Sequence, residues 1–137
     1  MPVKVRIVLK SMLGGREVHS TALVNTGFTS EAPDIAVPPS VAEKLGLWPL
    51  PEGAILASVE TGGGVVEAYI IPRAVSVRVV TSDRTSREVV ANVLINPYLS
   101  EILISDYLAE ELGIQILYPR RGLWKFVDED KIRESIA

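Results

Sequence analysis

Apolar and polar residues alternate from the start of the chain. Val3, Val5, Ile7 and Leu9 alternate with Lys4, Arg6 and Lys10. A period of two sends successive side chains to opposite faces, so this stretch predicts a strand with one buried face. Leu13-Gly14-Gly15-Arg16 predicts a turn, and residues 17–24 return as a second strand. The apolar run Ala22-Leu23-Val24 stops at Asn25-Thr26-Gly27. Such a small polar triplet suits a tight turn that presents one side chain, Asn25, at a fixed point.

The next stretch, residues 29–37, reads as irregular, with Glu31 and Asp34 as solvated loop acids. Ser40-Val41-Ala42-Glu43 has the form of a capping box and predicts a short helix that Gly46 ends. After the stiff connector Trp48-Pro49-Leu50-Pro51, residues 55–60 and 65–71 read as the arms of a hairpin around Thr61-Gly62-Gly63-Gly64. Three successive glycines predict a mobile tip. A phosphate-cradling loop is the weaker reading, because no Gly-Lys-Ser/Thr follows.

Alternation resumes over residues 73–80, with Val75, Val77 and Val79 on one face. A polar turn over 81–86 leads to a strand over 88–95, which Asn96-Pro97-Tyr98 breaks. Ile102-Leu103-Ile104 predicts a short buried strand, and Ser105 an N-cap for a helix over 106–112 that Gly113 closes. Residues 114–117 and 123–127 flank Tyr118-Pro119-Arg120-Arg121-Gly122 as a second hairpin, with Trp124 and Phe126 expected in the core or in a dimer interface. Residues 128–137 are charged and predict a short helix or a frayed tail. The two helices echo each other: Val41 to Leu47 aligns with Leu108 to Ile114, 67 positions on.

Composition narrows this picture. At 137 residues one domain is expected, over residues 1–127, followed by the charged segment 128–137. A net charge of -3 argues against a nucleic-acid partner, which needs clustered Lys and Arg. With no Cys and a single His, His19, expected to be an exposed strand residue, no metal and no cofactor is expected. The chain opens directly into a strand and has no uncharged apolar run of membrane-spanning length. The expectation is a soluble, cytoplasmic protein without a membrane partner.

Leu23-Val24-Asn25-Thr26-Gly27-Phe28 resembles the Asp-Thr-Gly active-site loop of retropepsin-like aspartic proteases, most closely the small prokaryotic members. There the loop is followed at a distance by Pro and a short helix ending in Leu-Gly-Leu, as in Pro38-Pro39-Ser40 through Leu45-Gly46-Leu47. The family's second half repeats the plan: aliphatic residues, Gly, then a helix. Ile102-Leu103-Ile104-Ser105 fits, with Ser105 in place of the Gly. The resemblance runs from about Val5 to Phe126. It implies an all-β, closed acid-protease-like barrel with two short helices. It also implies a homodimer with one active-site loop per protomer and a peptide or protein substrate.

Carried over by position, Asn25 stands where the family has its catalytic Asp. Thr26 is the lock between protomers and Gly27 the contact to substrate backbone. Gly62, Gly63 and Gly64 form the flap tip, and Phe28 lines the groove or the core. Asn25 implies a silenced site, either by engineered replacement of Asp or in a natural relative without catalysis. Two readings from other classes stand beside it: a peptide-binding module using the same groove, and a plain dimerisation barrel in which Asn-Thr-Gly is an ordinary turn.

Overall fold

A computed structural model describes residues 3–24, 27–61 and 64–136. The first strand, β1 (Val3–Ser11), runs antiparallel to β2 (Glu17–Val24), from Val3 beside Val24 to Lys10 beside Glu17. Val3, Val5, Ile7 and Leu9 all point into the core, as their period of two demands. The turn between them uses Gly14 and Gly15 at positive φ, where a side chain would be strained.

The chain continues through β3 (Asp34–Val37), α1 (Pro39–Lys44), β4 (Ile55–Thr61), β5 (Gly64–Val79), β6 (Val89–Ile95), β7 (Ile102–Ile104) and α2 (Asp106–Glu111). The strands lie in the order β1-β2-β7-β3-β6-β5, and β5 pairs back onto β1 to close a six-stranded barrel. Closure leaves the ring itself without the open edges that invite association. β4 stands outside the ring and pairs with the first half of β5 as a hairpin.

The pairings inside the ring describe a duplicated frame. β2 pairs in parallel with β7, and β6 pairs in parallel with β3. Val24 therefore lies beside Ile104, and Ile95 beside Val37. Between them β3 and β7 run antiparallel, with Ile35 opposite Ile104 and Ala36 opposite Leu103. Strand β2, loop, β3 and α1 thus follow the same path as β6, loop, β7 and α2, about a local two-fold axis between β3 and β7. Ile35, Val37, Val93, Ile95 and Ile104 bury completely along this axis. Each such side chain contributes roughly 1.5–3 kcal/mol of burial free energy.

A second sheet, β10-β9-β8, is built from β8 (Ile114–Tyr118), β9 (Leu123–Phe126) and β10 (Arg133–Glu134). Trp124 and Phe126 are buried there with rings edge-to-face at 5.1 Å, which is the core packing expected of them. No helix among the described residues is long and apolar enough to cross a membrane.

Four expectations need correction. Asp34 opens β3 instead of lying in an irregular segment. Ser40 does not cap α1: the N-cap is Pro38, with no side-chain cap, because Pro39 has φ pre-set for the first helical turn and starts the helix two residues early. The strands expected over 65–71 and 73–80 are one strand, β5, which absorbs Pro72 in a bulge between Ile71 and Val75. The charged segment, in its described residues 128–136, is neither a helix nor frayed. It forms β10 and is tied to β1, where Lys4 N–H donates to Ser135 Oγ at 2.8 Å and Ile136 N–H to Lys4 C=O at 3.0 Å.

Candidate functional site

The candidate site is the connection from β2 to β3, residues 25–33. β2 is held on both edges, by β1 and by β7, so Val24 ends at a fixed, buried point. Asn25 and Thr26, like Gly62 and Gly63 of the hairpin tip, lie outside the described residues. Gly27 is exposed and Phe28 is half-buried.

From Phe28 onward the loop is fastened to the start of α2. The Asp106 N–H donates to Phe28 C=O at 2.9 Å. Asp106 Oδ1 accepts from Ser30 N–H at 3.0 Å and from Tyr107 N–H at 2.8 Å. Ser105 holds the far end. Its N–H donates to Asp34 C=O at 3.1 Å, and its Oγ accepts from Asp34 N–H at 3.2 Å. The same Oγ accepts from Leu108 N–H at 3.2 Å and so caps α2 as expected. Ser105 is completely buried with both oxygen lone pairs engaged. The Ser105 hydroxyl thus fits a buried place between β3 and α2 and binds two backbone donors.

The second feature singled out by the sequence is the β4–β5 hairpin. Its strand pairs put Ile55, Ala57, Val66, Ala68 and Ile70 on one face. Ile55 is 53% exposed, and on the opposite face Leu56 and Val65 are also exposed. Trp48 lies against Tyr69 on that opposite face, ring centroids 6.0 Å apart. Gly64 begins β5 with φ +115, in open space that only its conformation reserves for glycine. The expected arrangement of two β-rich arms is therefore present, with apolar surface on both faces.

Among the described residues no group of three or more His, Cys, Asp or Glu could hold a metal ion. His19 is exposed on β2, 3.7 Å from Glu17. Glu31 is exposed, whereas Asp34 is half-buried and accepts from Asn92 Nδ2 at 2.9 Å. The strongest electrostatics lie away from this loop. Arg133 binds Asp83 and Glu129, each at 2.7 Å, while Arg84 binds Asp128 at 2.7 Å and stands 4.3 Å above the Phe126 ring. Hydrogen bonds from Arg133 and Lys131 hold the Asp83 carboxyl well below the usual carboxylate range. Arg84 lowers Asp128 and Arg133 lowers Glu129 in the same way.

Sequence reasoning named Asn25, Thr26, Gly27, Phe28 and the hairpin glycines as site residues, and of these the structure describes Gly27, Phe28 and Gly64. That reasoning missed Asp106, Ser105 and Asn92 as the groups that fasten the loop. The Ser-Asp pair before α2 was legible as a helix start; its second task, holding a loop some seventy residues earlier, was not. The fold class is that of mainly-β proteins with a closed six-stranded barrel and two short helices. Neither the models of known protein families nor the curated proteins contain a match to this chain.

Proposed function

We propose that this chain is one protomer of a homodimeric, retropepsin-like aspartic endopeptidase whose site is silenced by Asn25. Aspartic proteolysis needs two carboxylates about 3 Å apart that share one proton. One takes a proton from water, and the other protonates the scissile carbonyl. A chain with one such loop completes the pair with a second copy, across an isologous interface. Thr26 locks the two loops, Gly27 admits the peptide backbone, and the β4–β5 hairpin, with Gly62, Gly63 and Gly64 at its tip, covers the bound peptide and excludes water. An amide at position 25 keeps the shape of a carboxylic acid and loses its function as a base.

The observation that carries the reading is the duplicated frame, in which β2 delivers its connection beside the β3–β7 axis. The second reading, a peptide-binding module without chemistry, draws its support from Asn25 itself. A peptide-library assay across acidic to neutral pH separates them, comparing the chain with its Asn25→Asp variant. The protease reading expects cleavage by the variant alone, faster by roughly 10²–10⁴-fold or more, and blocked by a transition-state analogue of aspartic proteases. Folded dimers of both forms that cleave nothing would remove it and leave peptide affinity as the function to measure.

A further inference from the structure

The long strand β5 slips in register at one place. Ile71 faces Val93, yet Val75 faces Ala91, so β5 uses more residues than β6 over the same stretch. The surplus forms a bulge at Pro72-Arg73, where the hairpin half of the strand meets its barrel half. Arg73 has φ +47, the left-handed region that disfavours every residue except glycine. Strain of this kind persists where surrounding groups hold it in place.

Asn92 is the group that holds it. Its Oδ1 accepts from Arg73 N–H at 2.9 Å, inside the bulge. Its Nδ2 donates to Asp34 Oδ1 at 2.9 Å, and its backbone N–H donates to Pro33 C=O at 2.9 Å. Asp34 is gripped in turn by both the N–H and the Oγ of Ser105. The neighbour of Ser105, Asp106, holds Phe28 and Ser30. One side-chain amide therefore joins the root of the hairpin to the end of the β2–β3 loop. Among side chains of this size, only an amide both accepts at one end and donates at the other.

We propose that Asn92 is a positioning residue that couples the hairpin root to residues 27–34, so that local unfolding of one loosens the other. Its bearing on peptide binding rests on the function proposed above, while the coupling itself is independent of any peptide. The residues it joins, 34, 73 and 92, lie on three different strands. A local unfolding of the hairpin root must break the bond to Arg73 or carry Asn92 and Asp34 with it.

Hydrogen exchange on the full chain, without peptide, tests the coupling. Asn92→Asp keeps the acceptor for Arg73 and sets two carboxylates face to face. It is expected to speed amide exchange in both residues 64–71 and residues 27–33 by about tenfold, with β1 and β2 unchanged. The double variant Asp34→Asn with Asn92→Asp reverses donor and acceptor at unchanged charge, and is expected to restore wild-type protection in both segments. Exchange unchanged in both segments of Asn92→Asp, a change confined to one of them, or no rescue by the swap would overturn the proposal. If Asn92→Asp fails to fold, the swap decides alone: wild-type protection supports the coupling, and lost protection refutes it. An Asn25→Asp variant that cleaves nothing leaves this result untouched, so the two readings fail separately.

Discussion

The two halves of the barrel follow one path and finish it differently. In the second half, β6 runs into Asn96-Pro97-Tyr98, and the connection is fastened at its near end. Asn96 is buried; its N–H donates to Val37 C=O at 3.1 Å, and its Oδ1 accepts from Tyr98 N–H at 2.9 Å. In the first half, β2 runs into Asn25-Thr26-Gly27, and the longer connection, 25–33 against 96–101, is held from outside by Ser105 and Asp106. The helices differ in the same sense: α2 has a side-chain cap and α1 has none. The duplicated frame thus carries two connections of different length, fastened by different neighbours: the first by α2, the second by the end of β3.

The sharpest way to break this comparison is at the axis. Ile35 and Ile104 face each other and are both completely buried. Ile35→Ala and Ile104→Ala are each expected to cost about 3 kcal/mol in urea unfolding. A cost near zero at either position would contradict packing of both strands along the axis. The helix caps come next. Ser105→Ala removes the cap and the partner of Asp34 N–H, and is expected to cost about 2 kcal/mol, whereas Ser40→Ala should stay within about 0.5 kcal/mol. Asn96→Ala loses one turn hydrogen bond and should cost about 1 kcal/mol.

The smallest effect concerns the charged clamp that ties the 81–86 turn, in the second half only, to the chain's last strand. Asp83, Asp128 and Glu129 have folded pKa values below their ordinary ones. A depressed carboxylate contributes stability above its unfolded pKa, and the contribution is lost as pH falls through the folded value. Melting temperatures measured against pH should therefore show Asp83→Asn below wild type at neutral pH, the gap closing below about pH 4. A gap that widens in acid would reverse the assignment.

Much of the frame was legible in the chain. Period-two alternation marked β1 and the later half of β5, and Ser105 with Gly113 bounded α2. The echo between the helices announced the duplication. What failed did so for local physical reasons. Four residues beginning with Asp34 carry too little periodicity to declare a strand. Pro39 competes with Ser40 for the helix start. Pro72 reads as a break, although a bulge keeps the strand whole. β10 has two residues and exists because Arg133 is clamped by Asp83 and Glu129, a contact that no local pattern encodes. At the site, Asn25-Thr26-Gly27 stood out by itself. The groups that fasten its loop are separated from it in sequence, and only the fold brings Ser105, Asp106 and Asn92 to it.

With one Asn25-Thr26-Gly27 loop per chain, the proposed function requires two copies to make one site. Sedimentation equilibrium on the chain, over a range of concentrations, tests that requirement most directly. The expected result is a reversible dimer, twice the mass of the chain, retained in the Asn25→Asp variant. A strict monomer at high concentration would contradict the account.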